Sequence, residues 1–141
     1  MDCKICSKHL NKDKFFILET SYFEIWHGVL DSHILGYIYL EPKRHVENWV
    51  EFTQDELVEL PFLIQKIEGL LKKLVNADRV YTVTISEAVR HLHFHLIPRI
   101  EDSNLKGLNL IEQATQQIHN QDLRITQEEI DNLIVAIRNE F

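Results

Sequence analysis

The stretch His91-Leu92-His93-Phe94-His95-Leu96-Ile97-Pro98-Arg99 alternates imidazoles with apolar side chains, and its reading decides how the rest of the chain is understood. Successive side chains of a strand point to opposite faces, so His91, His93 and His95 are expected to share one face. Leu92, Phe94 and Leu96 then turn toward a core. Same-face neighbours on a strand lie about 6.5–7 Å apart, close enough for one small anion or metal to touch two of them. Three readings compete for such a row: a solvated strand face, a metal site using two or three imidazoles, or nucleophilic and acid–base chemistry at a phosphate. The last suits a group that titrates near neutrality. The pattern predicts a strand over residues 91–97, stopped by Pro98 because proline lacks a ladder donor.

Outward from this stretch, residues 80–85 are rich in β-branched side chains and predict a strand. Only residues 86–90 separate the two, so they are expected to pair antiparallel. Toward the N-terminus, residues 14–19 and 22–27 predict a hairpin across Thr20-Ser21, and residues 34–41 a third strand ended by Pro42. Thr53-Gln54-Asp55-Glu56 forms a capping box, after which Leu57, Leu60, Ile64, Ile67, Leu71 and Leu74 keep helical spacing. Pro61 interrupts that run and predicts a kink or a restart. Residues 110–118 predict a helix and residues 120–122 a loop. Thr126-Gln127-Glu128-Glu129 is a second capping box, followed by Ile130, Leu133, Ile134 and Ile137 on one face. The pattern describes one α+β domain over residues 1–141 with a mainly antiparallel sheet.

The 141 residues are 45% hydrophobic and 26% charged, an ordinary globular balance. A formal charge of −7 argues against a protein that coats a nucleic acid polymer or an anionic membrane by bulk charge. Met1-Asp2-Cys3-Lys4 opens no secretory pattern, and the longest apolar run, from Ile34 to Leu40, has seven residues where a span needs about 20. The expectation is a cytoplasmic protein with no membrane partner. Cys3 and Cys6 then read as metal ligands or redox groups rather than a structural disulfide. A redox Cys-x-x-Cys follows a strand, and none precedes residue 3, which leaves metal binding against free thiols at a frayed terminus. Two thiolates and two imidazoles complete a tetrahedral zinc site, with His9 a competing local ligand.

The segment from His91 to Arg99 resembles the signature of the histidine triad (HIT) family, His-φ-His-φ-His-φ-φ followed by Pro-Arg. Gly36-Tyr37-Ile38-Tyr39-Leu40-Glu41-Pro42-Lys43-Arg44-His45 is similar to the family's strand ending in Pro-Lys-Arg-His. The resemblance implies a HIT-like antiparallel meander with one long helix and a C-terminal helix, paired as a homodimer. It implies a nucleotide hydrolase acting at the α-phosphate, with dinucleoside polyphosphates and then nucleoside phosphoramidates as substrates. His93 would attack phosphorus and carry the nucleotidyl group, its other ring nitrogen held by a backbone carbonyl. His95 would contact the phosphate, and the chemistry itself would need no metal.

The same resemblance implies a structural zinc ion on Cys3, Cys6, His45 and His91, with residues 1–13 as a zinc knuckle and residues 100–141 as a variable segment. Glu87 stands where the family places a glutamine, in a loop without glycine, and is expected at the substrate, paired with Arg90 or exposed. His27 stands near the Asp or Asn that holds ribose hydroxyls, with Asp31 as a substitute, and Tyr37 replaces a histidine. Two rival readings follow: a nucleotide-binding or scaffold protein without turnover, and a metal-dependent hydrolase with the triad as ligands.

Overall fold

The computed structural model describes residues 2–119 and 123–141, so the loop expected at 120–122 lies outside the described residues. Five strands form one antiparallel sheet: β1 (Phe16–Glu19), β2 (Phe23–His27), β3 (Ile38–Pro42), β4 (Ala77–Val83) and β5 (Phe94–Ile100). Their spatial order is β1-β2-β3-β5-β4. The first three strands run as a meander. The helix α2 (Gln54–Val75) then carries the chain past one position, and β5 returns between β3 and β4.

The hairpin turn that Thr20-Ser21 supports only weakly is held from outside. Glu59 of α2 accepts bonds from the Thr20 hydroxyl and the Tyr22 amide. Both capping boxes form, with Thr53 accepting from the Glu56 amide and Thr126 from the Glu129 amide. Several boundaries differ from expectation: β4 starts at Ala77 rather than residue 80, β5 at Phe94 rather than 91, and the helix expected at 110–118 spans Leu108–Ala114. The third strand starts at Ile38 rather than residue 34, because His33 and Gly36 take positive φ (53° and 89°) and break the extended path. Pro98 does not end β5, which runs to Ile100. Beyond Leu96, which pairs with Ile38, β5 has no β3 neighbour, so the missing N–H falls where one side of the strand is unpaired. The long helix does not restart at Pro61. That residue faces solvent with Leu57, whose carbonyl loses the intrahelical bond and can take water instead.

Strand parity divides the side chains. Phe23, Ile25, Ile38, Leu40, Phe94 and Leu96 pack against α2 and the C-terminal helix α4 (Gln127–Glu140), which contributes Ile130, Leu133, Ile134 and Ile137. The opposite face carries Trp26, Tyr39 and His95. Tyr37 and Ile97 there join Leu110 and Ala114 of α3 (Leu108–Ala114) in a second cluster. Against this second face also lies α1 (Lys4–Leu10), a helix that the sequence reading did not foresee. No helix among the described residues is long and apolar enough to cross a membrane.

Candidate active site and metal centre

The alternation of the triad holds although regular β5 begins only at Phe94: Leu92, Phe94 and Leu96 are buried in the α2-side core, and the histidines point away from it. The three imidazoles do not form one row of equivalent groups. His91 is fully buried and turns toward α1, whereas His93 and His95 are half-buried, with ring centroids 5.0 Å apart.

Cys3 is the N-cap of α1, and its Sγ accepts from the Cys6 amide one turn on (3.3 Å). The Cys-x-x-Cys spacing therefore sets both sulfurs at the same helix end. His91 Nδ1 lies 3.5 Å from Cys3 Sγ and 3.5 Å from Cys6 Sγ, and His45 Nδ1 lies 3.5 Å from Cys6 Sγ. The four ligand atoms fall within 4.8 Å of one another. A tetrahedron with metal–sulfur bonds of about 2.3 Å and metal–nitrogen bonds of about 2.1 Å has a sulfur–nitrogen edge of about 3.6 Å, close to the three sulfur–nitrogen distances of 3.5 Å, so the donor set fits a tetrahedral metal after a small closure of its widest edge. His91 Nε2 donates to the Pro42 carbonyl (2.8 Å), which leaves the Nδ1 lone pair facing the thiols. Burial and the neighbouring Cys3 push the Cys6 thiol up to about 11, a balance that a dication between the sulfurs reverses.

His9, the competing ligand, is engaged elsewhere. Its Nε2 meets Glu41 at 2.9 Å, and Lys8 reaches the same carboxylate at 2.6 Å. Lys12 lies 3.3 Å from Glu24. Glu24 and Glu41 are direct partners on β2 and β3, and both are buried. Two carboxylates so placed destabilise the sheet unless neutralised, and Lys8 of α1 with Lys12 just past its end supplies the cations. Burial pushes the Glu41 carboxyl up, but the bonds from His9 and Lys8 outweigh it and hold the group below the usual range.

His93 Nδ1 donates to the His91 carbonyl (2.8 Å), since a carbonyl can only accept. The neutral ring then carries its lone pair on Nε2. The His93 amide donates to Ser86 Oγ (3.1 Å). Ser86 has a positive φ of 57°, and sequence reasoning passed over it; the signal was a serine in a loop where glycine was expected. His95 Nδ1 lies 2.6 Å from the Tyr37 hydroxyl.

The remaining expected site residues fall elsewhere. His27 shares the parity of Phe23 and Ile25 and lies on the α2 side of the sheet. It is 2% exposed, its Nδ1 donates to the Gly28 carbonyl (2.7 Å), and its Nε2 accepts from the Gly36 amide (3.0 Å). Both ring nitrogens are thus committed to backbone, and His27 is not brought beside His93 and His95 as an open group. Glu87 is exposed, and Arg90 bonds Glu47 (2.9 Å) rather than Glu87.

The sequence matches the HIT domain over residues 9–102, two-thirds of the chain. The chain belongs to the HIT family. A HIT-like protein of Saccharolobus solfataricus is 31% identical over 68 residues, 45% of this chain and 49% of that one, so the match spans about half of the relative's length. Among solved structures, the zinc-bound histidine triad family protein of Mycobacterium smegmatis superposes with a TM-score of 0.72 at 18% identity, covering 99% of this chain and 95% of that one. The diadenosine triphosphate hydrolase of Plasmodium falciparum does so with a TM-score of 0.64 at 16% identity, covering 92% and 77%. At these identities the likeness is one of fold. The HIT match begins at residue 9 and so does not include Cys3 and Cys6 at the start of α1.

Proposed function

We propose that the protein hydrolyses nucleotide conjugates at the α-phosphate, with His93 as nucleophile. The observation that carries this reading is the bond from His93 Nδ1 to the His91 carbonyl, because it puts the lone pair of the neutral ring on Nε2. That nitrogen forms a bond to phosphorus while the bond to the leaving group breaks, and the leaving group departs with the electron pair and takes a proton from solvent. Water then adds to phosphorus and displaces His93, releasing a nucleoside monophosphate. His95, two residues on along the same face, contacts the phosphoryl oxygens. Glu87, on the exposed loop before the triad, faces the incoming conjugate and sets its preference.

Zinc on Cys3, Cys6, His45 and His91 fits the donor set, and with four protein ligands it has a structural part. It would fasten α1 to the sheet and hold the backbone of His91, whose carbonyl orients His93. A homodimer fits the uncovered outer edge of β4, the last strand of the sheet. Dinucleoside polyphosphates are the first substrates to try, since a structural neighbour is a diadenosine triphosphate hydrolase, and nucleoside phosphoramidates the second.

The test is monophosphate release from both substrate classes by wild type and His93→Asn. Release should fall at least about 10⁴-fold in the variant while its melting temperature stays near wild type. Nucleotide binding without release by the wild type would replace this reading with that of a binding protein, and Glu87→Gln would be the variant to examine next.

A further inference from the structure

The Tyr37 ring is fully buried, and its surroundings prescribe its place. A Cβ at Gly28 would come within 2.4 Å of the Tyr37 ring, so the ring in this position excludes any side chain at 28. The ring stacks on His95 with centroids 5.8 Å apart and planes 18° from parallel, and the Tyr37 hydroxyl reaches His95 Nδ1 at 2.6 Å. Nδ1 therefore points into the protein, and the opposite nitrogen, Nε2, is the one directed to the half-buried edge beside His93.

Resting on the hydrolase reading above, we propose that Tyr37 is a positioning residue: its hydroxyl donates to His95 Nδ1 and so presents His95 Nε2–H as a neutral hydrogen-bond donor to the substrate's phosphoryl oxygen. The donor direction is the favoured one for two neutral groups 2.6 Å apart, because a phenol is the stronger acid and an imidazole nitrogen the stronger base. Burial raises the Tyr37 phenol far above its ordinary value, with Tyr39 adding to the shift. Burial, reinforced by His93, pulls His95 down to about 4, while Glu41 acts weakly in the other sense. Among the described residues, the rings of His93, Tyr37 and Tyr39 contact His95, and the Glu41 carboxylate is the charged group that acts on it. A neutral imidazole has one N–H, and a phenol that donates to Nδ1 leaves it on Nε2. The pair supplies directionality without a second positive charge at the site, so His95 orients the phosphate and takes no part as a protonated acid near neutrality.

The experiment uses the full zinc-loaded chain. Two-bond ¹H–¹⁵N correlation spectra, with His95 assigned through His95→Gln, report which ring nitrogen carries hydrogen. Wild type should hold the Nε2–H form from about pH 5 to 8. Tyr37→Phe should show both tautomers, with kcat lowered about 10- to 100-fold and KM within about twofold. A wild-type Nδ1–H form, or a His95 that titrates near 6.5, overturns the inference even if Tyr37→Phe does not fold. So does a folded Tyr37→Phe with unchanged kcat. Turnover that needs His93 but ignores Tyr37→Phe sinks this inference alone. Turnover indifferent to His93→Asn sinks the hydrolase reading, while the spectrum still decides the tautomer.

Discussion

His91 and His93 stand two residues apart, each gives one ring N–H to a backbone carbonyl, and they serve opposite ends. His91 donates from Nε2 to Pro42, which leaves Nδ1 toward two thiols. His93 donates from Nδ1 to His91, which leaves the lone pair on Nε2. His27 shows the third case, a ring with both nitrogens spent on backbone and none left for chemistry. A histidine's role here is decided by which edge the backbone claims, and by whether the other edge meets sulfur, solvent or another amide.

The comparison breaks most visibly at the metal corner. Chelation, or Cys3→Ser, is expected to lower the melting temperature by about 10 °C, roughly 3 kcal/mol for a chain of this size, with turnover falling only as the fold loosens. Calorimetry paired with metal analysis checks this. Unchanged melting after the metal is stripped would make His91 an ordinary buried histidine.

Protonation sharpens the contrast for His27. Burial lowers this group from 6.5 to about 4, so between those values the unfolded chain binds the proton that the folded chain refuses. Stability is therefore complete above pH 6.5 and declines as the pH falls toward 4. The integrated loss is about 3 kcal/mol, read as a falling urea midpoint. A His27→Gln variant should be less stable at neutral pH and lose the His27 share of this slope, keeping the share of His95, which burial also lowers to about 4; an undiminished slope in the variant would place the titration elsewhere.

The smallest effect tests the support behind His93. Ser86→Ala removes the acceptor of the His93 amide and should cost about 1 kcal/mol. Ser86→Gly loses the same bond but relieves the left-handed backbone, so it should melt above the alanine variant by about 0.5–1 kcal/mol equivalent. Equal melting of the two variants would mean that the positive φ at Ser86 carries no strain.

Much of the fold was legible because period and capping are local. The two threonine capping boxes, the helical runs behind them and the alternation around the triad all depend on residues within a few positions of one another. The boundaries that moved did so for nonlocal reasons. Pro98 can stay inside β5 because β3 ends opposite Leu96, a matter of which neighbour reaches that far. The helix α1 escaped the reading because its stability comes from Glu24, Glu41 and Trp26 across the chain.

By itself the sequence determined the α+β class and the family signature, and it named the candidate ligands and the candidate nucleophile, since residue type and spacing are enough for these. Only the tertiary structure decided how the inventory divides. Parity sends His27 to the opposite side of the sheet from His95. Sulfurs from residues 3 and 6 reach nitrogens from residues 45 and 91. Tyr37, noticeable in the sequence only as a missing histidine, becomes the partner of His95 because Gly28 leaves room for its ring. A side chain's chemistry depends on which of its atoms are already bonded, and those partners come from distant parts of the chain.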